Sequence, residues 1–458
     1  MRAAAMINAN ELTKSLGGLL LQEMGEAPSG FRRAVIDSRE ALPGDLFIAL
    51  PGEHVDGYDF VEDAFSRGAT GVLVQRPLAR EPDGAVAYVV EDALAGLQRI
   101  AAGHRASLPV RVIGVTGSVG KTTTKEIIAL LLGHRFRVLR NEANYINEIG
   151  LPLTLLRLTA RHERAVLEMG MSAPGEIRLL CDLAQPLTGV VMNVAPAHLE
   201  QLGSIEAIAA AKAELVEALP ADGYAVLNGD DPRVRDMTKK SRARVVLFGT
   251  SPDCAVRGEE PESKGLDGIS FTLEYKGERL RVKTRLPGRH LLPNALAAAT
   301  VALLEGMTLS EVGEALATAR IPMRLHVYHG RNDSTILDDT YNANPASMLA
   351  ALELLADLPG RRIAVLGDMR ELGTEEQEGH RVVGREAARV AQVIYAVGEL
   401  GLLIGEEAKR AGHPAVSLWS SKEEAARHLA SELRVGDVVL LKASRALALE
   451  TMLPELKD

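Results

Sequence analysis

The sequence predicts an α/β protein of three domains: a central doubly wound sheet of the phosphate-loop ATPase type, flanked by a small N-terminal α/β domain and a C-terminal Rossmann-like domain. Three observations lead there. Strand-length apolar runs alternate with helix-length segments along nearly the whole chain, as parallel sheets covered by helices require. A chain of 458 residues exceeds what one hydrophobic core serves, so two to four domains are expected. One strand run, Val112 to Thr116, passes directly into a glycine-punctuated turn, a lysine and a run of threonines.

Taken in order, residues 1–109 form the first unit. Its strands are Ala34-Val-Ile36, Leu46-Phe-Ile-Ala-Leu50, Gly71-Val-Leu-Val74 and Val86-Ala-Tyr-Val-Val90, and Ser107-Leu-Pro109 punctuates its end. Asp37-Ser-Arg39 follows a strand, so a loop presents Ser38 and Arg39 either to an anionic ligand or simply to solvent.

Residues 110–321 form the second unit, organised around Val112 to Thr124. Gly117 and Gly120 let backbone N–H groups converge on an anion, Lys121 neutralises phosphate charge, and the Thr122 hydroxyl can hold Mg²⁺ at a helix N-terminus. Thr116, Ser118, Val119 and Thr123 complete the turn. Val115 stands where the strict phosphate-loop pattern has glycine, so the match is to the shorter core Thr-Gly-x-x-Gly-Lys-Thr. The helix signal Lys125-Glu-Ile-Ile-Ala-Leu-Leu-Leu132 supplies the context the motif needs. Further strands are expected over residues 164–169, 189–194, 223–228 and 244–248. Residues 269–275 and 279–284 alternate around Lys276-Gly-Glu278 as an antiparallel hairpin insert, and the helix Asn294 to Leu304 closes the unit.

Residues 322–458 form the third unit. A connecting stretch, Pro322 to Pro345, leads into strands over residues 361–368, 393–397, 415–419 and 438–442. The turn Gly367-Asp-Met369 lacks the glycine fingerprint of a dinucleotide site, so no NAD is assigned.

Three further residues invite chemistry. Glu168 lies at the carboxyl end of an apolar strand, where ligands of open α/β sheets collect and where a carboxylate can reach a nucleotide-bound Mg²⁺. His198 follows another strand and is a ligand or a solvated loop histidine. Lys212 falls in the apolar stripe Ile205, Ile208, Leu215, Leu219 of a helix capped by Ser204, so it must snorkel, pair with an acid or change its charge.

Composition narrows the function. A formal charge of −9, from 52 basic and 61 acidic residues, argues against broad nucleic-acid or anionic-membrane adhesion. Two cysteines without CxxC spacing make no disulfide framework, and no apolar run is long enough to span a bilayer. A cytoplasmic, monomeric enzyme is the expectation.

Across all three units the chain resembles the Mur ligase family. The resemblance is carried by Asp37-Ser-Arg39, Gly44-Asp-Leu-Phe47, Asp56-Gly-Tyr-Asp-Phe60, Thr116 to Thr123, Asn144-Tyr-Ile-Asn147, Leu167-Glu-Met-Gly-Met171, His198 to Lys212, Gly288-Arg-His290 with Asn294, Asp338-Asp-Thr-Tyr-Asn-Ala-Asn-Pro345, Leu366 to Gly373, and Lys442-Ala-Ser-Arg445. Tyr145-Ile146 departs from the family's asparagine-rich pattern there, and Ala443 stands where glycine is usual.

The resemblance implies ATP-dependent amide formation through an acyl phosphate, joining D-alanyl-D-alanine to a UDP-N-acetylmuramoyl-tripeptide, a step toward peptidoglycan. It implies ATP and Mg²⁺, with Lys121 and Thr122 on the triphosphate and first metal, Glu168 as a metal ligand, and His198 and a carbamylated Lys212 (N6-carboxylysine) at a second. Asn294 would meet adenine, Arg324 phosphate and Asp339 ribose. Ser38 and Arg39 would lie near the uridine nucleotide. Asn144, Asn147, Tyr341, Asn344, Asp368, Lys442, Ser444 and Arg445 would bind the peptide substrates. A ligase adding the third amino acid, a folylpolyglutamate-type ligase, and a nucleotide-driven motor or gated binding protein are the alternatives.

Overall fold

The computed structural model describes residues 7–142, 144–196, 199–319 and 325–457. His198 and Arg324 lie outside the described residues, as does the expected boundary at 321/322.

The first sheet has five strands in the order Leu20–Gly25, Val86–Val90, Gly71–Val74, Leu46–Ile48, Ala34–Val35. All neighbours are parallel except Leu20–Gly25, a mostly exposed edge strand that pairs antiparallel with Val86–Val90. The helix Ala93–Ala106, capped by Asp92, carries the chain to the central domain.

The central sheet has nine strands. Their order is Glu278–Lys283, Ile269–Tyr275, Val256–Ser263, Arg244–Gly249, Tyr224–Asn228, Thr188–Val191, Arg111–Thr116, Arg164–Glu168, Val138–Arg140. Arg111–Thr116 lies between parallel neighbours that the chain visits on opposite sides, so its carboxyl end is the switch point where open α/β sheets bind ligands. Val112, Ile113 and Val115 are all fully buried, as a strand covered by helices on both faces must be. The expected hairpin insert is instead the far edge of this same sheet, joined to it through Val256–Ser263. Its turn residues Lys276 and Gly277 both have positive φ, 51° and 83°, the geometry that matches a two-residue turn to strand twist.

The third sheet has six strands, ordered His326–Gly330, Ser334–Asp338, Asp437–Lys442, Arg361–Gly367, Val393–Val397, Val416–Trp419. Its first two strands are a correction. They occupy the stretch expected to be a connector and form an antiparallel hairpin that sets Asp338 and Asp339 beside the end of Asp437–Lys442.

Candidate active site

The phosphate turn is built by conflict between backbone and side chains. Gly117 and Gly120 hold φ of 154° and 83°, and a Cβ on Gly120 would stand 2.7 Å from Asn294 Nδ2. Only glycine fits there. The helix Lys121–Gly133 starts immediately afterwards and aims its N-terminus at the turn. Asn193 clamps the turn from the next loop: its Oδ1 accepts from Val119 N at 2.8 Å and its Nδ2 donates to Val119 O at 2.9 Å. Ser118 Oγ donates to Ala195 O and accepts from Ala195 N, both at 2.9 Å.

This turn opens on a cavity of about 750 Å³ between the central and third domains. The central wall includes Ser118, Val119, Gly120, Lys121, Thr122, Thr123, Glu168, His290 and Asn294. The third domain contributes Asp339, Tyr341, Asn344, Arg370, Lys442, Ser444 and Arg445.

Lys121 folds over the turn, its Nζ donating to Gly117 O at 2.9 Å and Ser118 O at 3.3 Å. Glu168 is buried, yet its Oε2 has no hydrogen-bond partner; the nearest charge is Lys125 Nζ at 4.0 Å. A buried carboxylate oxygen left without a donor is costly, and facing a phosphate cradle it fits a divalent cation. Among the described residues no three His, Cys, Asp or Glu side chains gather into a preformed cage.

Lys212 is 2% exposed and stands behind the wall rather than in it. Burial, reinforced by the Lys121 charge, holds its amine well below the usual lysine range. The helix carrying it, Ile205–Ala218, is capped by Ser204 as expected.

Other predicted residues have more structural surroundings. Thr116 is buried and donates to Met169 O at 3.0 Å, away from the cavity. Asn294 Nδ2 donates to Gly120 O at 3.0 Å and Thr124 Oγ1 at 2.8 Å, locking turn to helix from within the cavity wall. Asp339 and Lys442 pair at 2.6 Å, and Lys442 also donates to Asn342 O at 3.1 Å. Asn344 caps the helix Pro345–Ala356.

Asp368 is not at the wall. Its Oδ1 accepts from Leu400 N and Gly401 N at 2.9 and 2.8 Å, and its Oδ2 holds Arg370, which does line the cavity. Ser444 Oγ accepts from Arg370 N at 2.9 Å, and Arg445 pairs with Glu450. Asn144 and Asn147 are exposed and off the wall. Asn144 nevertheless accepts a 2.7 Å bond from the Tyr341 hydroxyl across the domain boundary, and Asn147 caps Gly150 N at 2.9 Å.

Ser38 and Arg39 belong to the first domain and do not reach this cavity. Ser38 donates to Asp63 Oδ2 at 2.7 Å. Arg39 is exposed and pairs with Asp37, holding that carboxyl down at about 2.

Sequence reasoning assigned no role to Asn193, Lys125 or His290. Asn193 had a signal, an amide directly after an apolar strand. His290 had none of its own; only folding brings it to Asp339 and Lys442. Burial pushes its imidazole down to about 4, and its Nδ1 has no partner.

A glycine-turned phosphate cradle facing a second α/β domain across a cavity is the arrangement of a nucleotide-dependent enzyme. Consecutive parts of the chain match models of the Mur ligase family, catalytic domain (residues 33–107), the Mur ligase middle domain (115–302) and the Mur ligase glutamate ligase domain (323–445). The UDP-N-acetylmuramoyl-tripeptide–D-alanyl-D-alanine ligase of Bacillus subtilis is 37% identical over 426 residues, 92% of each chain. A crystal structure of MurF from Acinetobacter baumannii superposes with a TM-score of 0.87 at 28% identity, covering 98% of both chains. MurF of Thermotoga maritima in complex with ADP matches at 0.80 and 33%, covering 92% of this chain and 96% of that one. The chain belongs to the Mur ligase family.

Proposed function

We propose that the protein joins the amino group of D-alanyl-D-alanine to the terminal carboxylate of UDP-N-acetylmuramoyl-tripeptide, converting ATP to ADP and phosphate and yielding the pentapeptide precursor of peptidoglycan. The observation that carries this reading is the convergence, on one cavity, of the phosphate turn, the unpartnered Glu168 oxygen and a wall from the third domain. Relatives bearing this activity align over nearly the whole chain.

In the first step a carboxylate oxygen attacks the γ-phosphorus of ATP, giving an acyl phosphate and ADP. Two anions must meet, so positioning and charge neutralisation supply most of the catalysis. Lys121 and the helix N-terminus behind it receive the triphosphate. Thr122 and Glu168 would hold Mg²⁺, with His198 and a carbamylated Lys212 at a second ion. When bound, Mg²⁺ neutralises charge between the phosphates and the attacking carboxylate. A buried lysine held toward its neutral amine is the form that takes up CO₂, which supports the carbamate. We expect Lys212→Ala to lower turnover about 10²-fold or more, with no rescue by bicarbonate; near-wild-type turnover would remove the carbamate role.

In the second step the deprotonated dipeptide amine attacks the acyl carbon, and phosphate leaves from the tetrahedral intermediate. Lys442, Ser444, Arg445 and Arg370, the last held by Asp368, are the cationic and polar groups available to the dipeptide carboxylate. Tyr341, Asn344, Asn144 and Asn147 would serve substrate binding, Asn294, Arg324 and Asp339 the nucleotide, and Ser38 and Arg39 the uridine end. Closure of the cleft would keep water from the acyl phosphate.

The functional units are taken as residues 1–109, 110–321 and 322–458, acting as a cytoplasmic monomer. Both cysteines are free and buried, and among the described residues no helix is long and apolar enough to cross a membrane.

Purified protein with MgATP and both substrates should release phosphate and form an amide product of pentapeptide mass. Replacing the dipeptide by diaminopimelate, lysine or glutamate should abolish release. No new amide bond would overturn the reading.

A further inference from the structure

Lys125 has no part in the reaction steps above; it is 1% exposed, and its Nζ stands 4.0 Å from Glu168 Oε2. A buried ammonium persists only where its charge and its donors are met. Its Nζ donates to Asn141 O at 2.7 Å and stands 3.1 Å from Glu126 Oε1. Glu126 in turn holds Arg140 Nε at 2.7 Å. Lys125 lies one turn after Lys121 on the phosphate-turn helix, so it fastens that helix to the residue where the following loop begins.

Asn141 carries the fastening onward. It is fully buried, and its amide pairs with the Glu168 backbone in both directions: Oδ1 accepts from Glu168 N and Nδ2 donates to Glu168 O, each at 2.9 Å. Nδ2 also donates to Tyr145 O at 2.8 Å, and Ile146 O accepts from Gly170 N at 3.0 Å. The loop is therefore held at residues 141, 145 and 146, and its Asn144 takes the 2.7 Å bond from Tyr341 of the third domain. A continuous set of contacts thus runs from the phosphate turn to the opposite wall without crossing the cavity.

We propose that Lys125 is a positioning residue that makes nucleotide binding and acceptor binding interdependent, by tying the phosphate-turn helix to the loop of residues 141–147 and, through Asn144 and Tyr341, to the third domain. The proposal rests on the ligase reading for the identity of the two ligands. Contiguity alone does not demonstrate coupling, which must be measured as a ratio of affinities.

The measurement is calorimetric titration of a non-hydrolysable ATP analogue with Mg²⁺ into the full-length protein, alone and saturated with UDP-N-acetylmuramoyl-tripeptide. In the wild type the acceptor should tighten analogue binding about fivefold or more. In K125M/E126Q, which removes the buried charge together with its partner, the ratio should fall to near one, whatever the change in each separate affinity. Tyr341→Phe, at the partly exposed far end, should lower the ratio as well. A wild-type ratio of one, or a K125M/E126Q protein that keeps the wild-type ratio, overturns the proposal. Should the double variant fail to fold by circular dichroism, an unchanged ratio in Tyr341→Phe overturns it. Acceptor that does not bind the wild type at all sinks the ligase reading, an outcome distinct from coupling that survives in the variants.

Discussion

The two joints between domains are made differently. Where the first domain meets the central one, Leu97, Ile100 and Ala101 of the helix Ala93–Ala106 share a single apolar cluster with Leu151, Leu155, Ile177 and Leu180. Two buried polar groups close that joint: His104 Nε2 lies 2.9 Å from Leu158 O, and Arg105 Nε donates to Ala184 O at 2.9 Å. Where the third domain meets the central one there is instead a cavity lined by polar and apolar groups alike, and the third domain keeps apolar clusters built around its own sheet, with Leu266 of the central domain packed against one of them. A shared core resists movement, whereas a boundary interrupted by a cavity and bridged by bonds such as Tyr341 to Asn144 opens at lower cost. The first joint merges two domains into one core, and the second leaves open the cavity onto which the phosphate turn faces.

If that contrast is right, substitutions at the cleft should take activity and spare stability, with the reverse at the apolar joint. The largest effect is expected from Glu168→Gln. It should lower kcat by about 10²–10³-fold without lowering the thermal midpoint, because the 4.0 Å contact to Lys125 that it loses is offset by relief of a buried carboxylate oxygen with no donor. Steady-state phosphate release and a thermal melt on the same preparation check both halves. Next comes Leu97→Ala, which should destabilise the protein by about 3 kcal/mol through the cavity it leaves, with kcat of the folded enzyme retained; denaturant titration followed at several wavelengths reads this. A fall in kcat with no loss of stability would reverse the contrast.

The smallest effect concerns His290 at the cleft wall. Its folded pKa is depressed to about 4 from 6.5, so below pH 6.5 the unfolded chain takes up a proton that the folded protein refuses. Its contribution is whole above pH 6.5 and is lost progressively down to about pH 4, by about 2 kcal/mol at pH 5. His290→Asn should flatten that part of the stability profile; an unchanged slope would place the imidazole in contact with water.

The phosphate turn was legible because everything that makes it is local: glycine spacing, a lysine, a preceding apolar strand and a following helix. The Lys212 stripe was legible for the same reason, and its burial is as the periodicity required. Some strands were not. His326–Gly330 is mostly exposed and offers no apolar run. Val256–Ser263 contains Pro261, which argues against a strand, and the register shift between Glu259 and Glu262 is what accommodates it. Residues that act through distant partners, such as Lys125 with Asn141 or His290 with Asp339, leave no trace in spacing because tertiary packing alone brings them together.

None of the described residues lining the reaction cavity comes from the first domain, and that domain is fixed rigidly to its neighbour by the apolar joint. A substrate anchored there by one end must therefore stretch to the cleft with the other. The protein would then act as a ruler, rejecting acceptors whose peptide is a residue too short before any question of their chemistry arises.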